Sequence, residues 1–215
     1  METVIKTLIY IHAFFGGIGL LAGTAILFAK KGNQLHTKMG KIFSIGMLIS
    51  SFLSFFICCF PNHHNPFLIT IGIFTVYMIL IGNNVLKYKR KNYQNKIDRV
   101  ISGIMLFTSF MMICYGVYPL LTGKGLGILY IIFGALGAFM CYKDFVFYKD
   151  AENYKRWTMA HIGRMVGAYI ASVTAFIVAG LGYGGNVTAW IFPTIIGTIY
   201  IIYWGRKLNK KVVVN

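Results

Sequence analysis

Three histidines have the most versatile side chains in this sequence, because a neutral imidazole can bind a metal, relay a proton or contact a polar ligand. His12 lies in the first long apolar segment and His161 in the sixth, while His36 lies in a basic loop just before the second. Ionisable residues in apolar helices usually face the interior of a helix bundle. His12, His36 and His161 are therefore candidate cofactor-binding residues, and simple hydrogen bonding between helices is the open alternative.

The depths of these histidines decide which of them could share one metal ion. His12 lies about 10 Å inside the start of its segment, at ~1.5 Å of rise per residue, whereas His161 lies near the opposite boundary of the apolar layer. Across a hydrocarbon layer of about 30 Å, these two cannot ligate the same iron. A bis-histidine haem would need His36 with His161, or His12 with one of the loop histidines His63 and His64.

Small residues share a helix face with His12. Gly16, Gly19 and Gly23 follow it at intervals of four, seven and eleven residues, which places all four positions on one side of a helix. Faces made of small residues let another membrane helix approach closely. The spacing therefore predicts that His12 points into the bundle and packs beside small residues of a second helix.

Arg164 is a cation inside the sixth segment, and arginine stays charged at any accessible pH. An unpaired charge at that depth costs roughly 2.5 kcal/mol or more. The side chain could snorkel to the interface, or it could pair with one of the few acids of the chain. Asp144 ends the fifth segment at a similar depth and Asp98 opens the fourth, so we predict a polar cluster of Arg164 with Asp144 in preference to Asp98.

The composition indicates that lipid surrounds this chain. Of its 215 residues, 57% are hydrophobic and only 12% are charged, about half the charged fraction of soluble domains. The net charge of +16 does not indicate nucleic-acid binding, because the basic residues form short clusters between apolar runs. Most of the seven apolar segments approach or exceed the ~20 residues that span a bilayer as a helix. These segments are 5–29, 42–60, 67–86, 100–121, 125–147, 157–181 and 189–204.

The loops between the segments alternate in charge. Every lysine and arginine except Lys6, Lys124 and Arg164 lies in every second connection or in the C-terminal tail. Cytoplasmic loops of membrane proteins carry this excess of positive charge. The sequence therefore predicts an all-α bundle of seven transmembrane helices in one domain, with the N-terminus outside and the C-terminus in the cytoplasm. We expect it in a bacterial inner membrane.

An internal repeat is a further hypothesis. The second segment opens with Lys41-IFSIGMLISSF and the fourth with Arg99-VISGIMLFTSF, and five of these twelve positions are identical. The sixth segment continues loosely with AYIASVTAF. A helix hairpin repeated three times, followed by a seventh helix, would explain the pattern. Shared apolar composition alone is the alternative.

Several familiar sites are missing from the sequence. No HExxH, CxxC or CxxCH motif occurs. The four cysteines all lie in apolar runs, where a thiol usually acts as a small hydrophobe. No serine–histidine or paired-carboxylate arrangement indicates a hydrolytic enzyme, so catalysis is not favoured.

The histidine motifs resemble those of a family of bacterial multi-pass membrane proteins of unknown function. The resemblance rests on His12 with Gly16 in the first segment, on His36 between Gly32 and Gly40, and on motifs in the last two segments. The last two segments match the family at His161, Met165, Tyr169, Ile170, Ala171, Thr174, Ala175 and Phe176, then at Trp190, Pro193, Thr194 and Gly197. The resemblance covers most of the chain and implies a fold and a location, but no reaction.

Three classes of function remain open. The first is a redox-linked protein that holds haem or a transition metal through intramembrane histidines, and we favour it because acids are almost absent from the helices. Proton-coupled carriers more often rely on an intramembrane acid, so a small-solute or proton-coupled transporter is the second class. A structural or assembly protein without a cofactor is the third. The lipid bilayer is the expected partner, and a homo-oligomer or another membrane protein is compatible with the sequence.

Overall fold

Seven α-helices form the protein in a computed structural model that describes residues 2–90, 93, 96–123, 127–149 and 154–210. About 88% of the chain is helical, and the described ranges contain no strand. Each helix, with any short extension, is long and apolar enough to cross a membrane, which confirms the predicted all-α fold. The helices are α1 (Glu2–Phe28), α2 (Gln34–Ile57), α3 (Pro66–Asn84), α4 (Lys96–Thr122), α5 (Gly127–Phe147), α6 (Tyr154–Ala175) and α7 (Val187–Lys210).

The start of α2 corrects one expectation. His36 was expected in the loop before the second helix, but α2 begins at Gln34, and His36 lies in its first turn. The side chain of Asn33 caps the helix by accepting the backbone N–H of His36 at 2.8 Å. Asparagine is a preferred N-cap because it satisfies a backbone donor that has no partner within the helix. The cap therefore fixes the orientation of the first turn, which includes His36.

Two helices change their winding at one end. The chain continues from α3 into a short 3₁₀ helix, Val85–Lys89, and from α6 into a single π-helical turn, Phe176–Gly180. The tighter 3₁₀ turn follows the last residues of α3, which face α6. The end of α3 thus leads directly into the polar region described below.

The centre of the bundle is α3. Met78, Ile79 and Ile81 have no exposed surface. The closest helix pairs are α1 with α2, α4 with α5, and α3 with α6, while α7 packs on α6. Both α2 and α4 also contact α3. Because α3 is surrounded by other helices, a polar group on it can be reached by α4, α5 and α6.

Glycines bring α1 and α2 into backbone contact. A Cβ atom built on Gly46 of α2 would lie 2.8 Å from the Phe15 carbonyl oxygen and 3.3 Å from the Cα of Gly19. Gly16 similarly faces Ser50, whereas Gly23 faces the ring of Tyr169 on α6. Small residues on both helices therefore allow the close approach that the spacing around His12 predicts.

Four of the five identical positions that suggested a repeat have the same burial class in α2 and α4, and the pair of Leu48 and Leu106 differs. Phe52 and Phe110 are 61% and 59% exposed. Three other equivalent pairs are buried in both helices: Ser44 and Ser102, Met47 and Met105, and Ser51 and Ser109. The two helices therefore present the same face to the bundle, as a repeat requires, and the repeat itself stays a prediction.

Candidate functional site

Polar side chains gather at one end of the bundle, where α2, α4 and α6 begin and α1, α3, α5 and α7 end. We call this the basic end, because the lysine- and arginine-rich connections lie there. It contains two buried acids, a buried arginine and two histidines. These groups form two regions: a hydrogen-bonded network around the acids, and a histidine pair beside it.

Asp144 is the centre of the network. Of the two acids considered for Arg164, the structure pairs the guanidinium with Asp144. The hydroxyl of Tyr77 donates to the same carboxylate at 2.5 Å, and the hydroxyl of Ser102 donates at 3.0 Å. Asp144 is 1% exposed and Arg164 is 6% exposed. One carboxylate on α5 thus binds donors from α3, α4 and α6, and links four helices.

Asp98 forms a second, similar centre in the first turn of α4, and it is also 1% exposed. Its carboxylate accepts hydrogen bonds from the Asn84 amide at 2.7 Å and from the Tyr88 hydroxyl at 3.0 Å. Tyr93, in the connection between α3 and α4, also hydrogen-bonds this carboxylate. Asp98 therefore holds the end of α3, the following 3₁₀ turn and Tyr93 against α4, and it is not the acid that pairs with Arg164.

The tyrosines next to these acids remain protonated donors. Burial, followed by the nearby charge of Asp98, raises the pKa of Tyr93 to about 12. Burial also raises the pKa of Tyr148, with further contributions from Asp144 and Asp98. The Tyr148 hydroxyl lies 2.8 Å from that of Ser102 and donates to the Asp98 backbone carbonyl at 3.3 Å. Both buried carboxylates thus accept hydrogen bonds from neutral hydroxyl groups.

His161 is oriented by the backbone of α3. Its Nδ1 atom lies 2.7 Å from the carbonyl oxygen of Gly82. Because a carbonyl only accepts, Nδ1 carries the proton, and in the neutral ring Nε2 keeps a free lone pair. A Cβ atom on Gly82 would lie 2.7 Å from the sulfur of Met165 and 3.0 Å from the Cβ of Arg164. Glycine at position 82 therefore leaves room for α6 to pack close to α3, which brings His161 to the Gly82 carbonyl.

His36 lies close enough to His161 for the two imidazoles to interact electrostatically. Its Nδ1 atom is buried and has no hydrogen-bond partner among the residues that the structure describes. Lys31 also acts on His36 electrostatically. Two of the three predicted histidines, near the starts of α2 and α6, thus lie near each other, and each has a ring nitrogen without a hydrogen-bond partner among the described residues.

His12 lies elsewhere in the bundle. Its Nδ1 atom is 2.8 Å from the Ser50 carbonyl oxygen, and the Ser50 hydroxyl donates to the His12 carbonyl at 3.1 Å. At ~1.5 Å per residue, His12 is roughly 24 Å from the end of α1. It packs against α2 beside the glycine face, as the spacing predicts, but it cannot join His36 and His161 at one ion.

The remaining candidate ligands do not add to the pair. All four cysteines are free, and Cys58 and Cys141 are buried. Burial raises the pKa of the Cys58 thiol, which disfavours the thiolate that binds metals. Within the described ranges, no group of three or more His, Cys, Asp or Glu residues could hold a metal ion.

Helices long and apolar enough to cross a membrane seven times define the class: the chain is a multi-pass membrane protein. No family model, curated protein or solved structure matches it. Any function proposed for the chain therefore rests on the arrangement of its own side chains.

Proposed function

We propose that this protein is a redox-linked membrane protein that binds a haem at the basic end, with His36 and His161 as the two axial ligands of the iron. One observation carries the proposal: the Nδ1–H of His161 donates to the Gly82 carbonyl, beside a second imidazole whose buried Nδ1 has no hydrogen-bond partner among the described residues. A histidine that binds a metal usually donates its other ring N–H to such an acceptor, which fixes the ring orientation and makes the ligand more basic.

Haem fits the available ligands better than a bare transition-metal ion. A structural zinc site normally takes four protein ligands and a catalytic one three, and no such group occurs within the described ranges. Haem iron already has four porphyrin nitrogens, so the protein needs to supply only axial ligands such as histidine. Two imidazoles are enough for haem and too few for an ordinary metal site.

The charges around the pair also suit haem. Lys89 interacts electrostatically with His161, and its ammonium lies 4.6 Å from the centre of the Trp157 ring. A cation beside the histidines would attract the carboxylate groups of a haem. When bound, the haem would supply one-electron chemistry, while this chain would hold the iron ligands in place and keep the porphyrin in the apolar layer.

The acids of the network are less suited to a proton-coupled carrier. Such a carrier needs an acid that gains and loses its proton during the cycle. Asp144 binds Arg164, Tyr77 and Ser102, so donors from three other helices already occupy its carboxylate oxygens. This network is suited to holding the four helices together, which leaves the histidines as the groups with unused binding capacity.

The test of the proposal is the visible spectrum of the purified wild-type protein. The protein is expressed in cells supplied with haem precursor and iron, extracted in mild detergent, and measured oxidised and reduced. We expect a sharp Soret band, resolved α and β bands on reduction, as two imidazole ligands produce, and about one haem per chain. A colourless protein that contains neither haem nor another metal would rule the proposal out.

We further propose that the basic end faces the cytoplasm of a bacterial cell, as the excess of positive charge there favours. Single cysteines, introduced after the natural cysteines are replaced, test this orientation. Positions Lys31, Lys91 and Lys207 should react only after the membrane is permeabilised, and His64 and Gly184 should react in intact cells. Lys91 lies outside the described residues. Reaction at position 91 in intact cells would contradict this orientation.

A further inference from the structure

The end of α7 brings two lysines to one tryptophan at the basic end. The ammonium of Lys207 lies 4.9 Å from the centre of the Trp204 ring, and that of Lys31, just after α1, lies 5.5 Å from it. Tyr200 connects the same two helices, because its hydroxyl donates to the Leu27 carbonyl at 3.4 Å. The ends of α1 and α7 thus form one basic, aromatic corner of the bundle.

Among the described residues, no acid pairs with the positive charges of this corner. In the part of the chain that the structure describes, neither Lys31 nor Lys207 forms an ion pair. The hydrogen-bond partners of Lys31 in the described structure are the carbonyl oxygens of Ile26 and Leu27, to which its ammonium donates at 2.5 and 3.1 Å. Like charges close together are unfavourable in a region of low dielectric constant. An anion between them would turn this repulsion into attraction.

The indole of Trp204 provides a second, independent sign of a missing partner. Its Nε1–H is buried and has no hydrogen-bond acceptor among the described residues. A buried indole N–H usually finds such an acceptor. Two cations therefore lie beside an indole whose N–H has no partner among the described residues, and all three groups suit the oxygens of an anion.

The location of the corner points to a lipid as the source of that anion. Tyr203, next to Trp204, is 56% exposed on the outside of the bundle, and tryptophan and tyrosine collect at the level of the lipid headgroups. Lysines at this level attract acidic phospholipids. We propose that Lys31, Trp204 and Lys207 form a binding site for the phosphate of an acidic phospholipid, which uses neither histidine of the pair.

Native mass spectrometry of the detergent-solubilised wild-type protein, titrated with phosphatidylglycerol or phosphatidylcholine of equal chain length, tests this site. We expect a preference of at least about tenfold for the acidic lipid. The double variant Lys31→Met/Lys207→Met should lose most of that preference, because methionine keeps the apolar length and removes the charge. Trp204→Phe, which removes the N–H and keeps an aromatic ring, should weaken binding of the acidic lipid.

Lys38→Met is the matched control, since Lys38 is an exposed lysine near the start of α2 and its loss changes the net charge by the same amount per site. Lys38→Met should leave the preference for the acidic lipid unchanged. Equal binding of both lipids by the wild type, an equal loss in Lys38→Met, or displacement of the lipid by millimolar inorganic phosphate would each overturn the proposal. A loss of haem without a loss of acidic lipid in the double variant would also overturn it, and would assign the lysines to the haem instead.

Discussion

Replacing Asp144 with leucine is expected to destabilise the protein severely. Arg164 is 6% exposed, so its guanidinium would keep its charge in the interior after losing its only carboxylate partner in the described structure. Breaking a buried ion pair by removing one partner typically costs about 3–5 kcal/mol. The hydroxyls of Tyr77 and Ser102 would lose an acceptor as well. We expect little monodisperse protein after extraction and a large fall in the thermal unfolding temperature.

The double variant Asp144→Leu/Arg164→Leu separates the loss of the ion pair from the presence of a buried, unpaired charge. It removes both charges, and apolar replacement of a complete buried pair is often close to neutral. We therefore expect it to recover most of the stability that Asp144→Leu loses. Glu2→Leu is the control for loss of an exposed acid, since Glu2 pairs with Lys6 at the surface of the bundle. Asp144→Leu with wild-type stability would contradict the role of the network.

Gly46→Ala is expected to separate α1 from α2. The added methyl group would lie 2.8 Å from the Phe15 carbonyl oxygen and 3.3 Å from the backbone of Gly19. These neighbours are main-chain atoms, so no side-chain rotation can relieve the contact, and overpacking of this kind costs about 1–3 kcal/mol. The shift should also break the contact between His12 and Ser50. Thermal unfolding in detergent measures the effect.

Gly17→Ala is the matched control for this substitution. A Cβ atom on Gly17 meets nothing within 4 Å, and alanine is favoured over glycine within a helix by up to about 1 kcal/mol. Gly17→Ala should therefore be neutral or slightly stabilising. Equal unfolding temperatures for the two variants would show that α1 and α2 are not packed at the distance described here.

The number and type of the elements could be predicted from the sequence, because seven long apolar runs leave helices as the only structure that satisfies the backbone in lipid. The ends of the helices could not. The apolar run of the second segment begins at residue 42, yet α2 begins at Gln34 under the cap of Asn33. Likewise, α7 continues past Trp204 to Lys210. Polar turns outside the apolar layer are held by caps and neighbours, which hydrophobicity does not reveal.

The candidate site was predictable only in part. The pairing of Arg164 with Asp144 followed from the scarcity of acids, since few partners lay at the right depth. The donors Tyr77 and Ser102 were missed, because tyrosine and serine are ordinary residues of apolar helices and their roles depend on which faces meet. The partner of His161 is a backbone carbonyl, at Gly82, and no sequence pattern indicates it beyond the glycine that permits the contact.

The haem content per chain of single histidine variants tests the central claim most directly. His161→Ala, His36→Ala and His12→Ala would be purified in parallel with the wild type, and their haem measured after confirming the same elution volume and helical content. We predict that His161→Ala and His36→Ala lose the reduced α band and most of the haem, while His12→Ala keeps both. Full haem content in His161→Ala, or loss of haem only in His12→Ala, would contradict a haem site at the basic end.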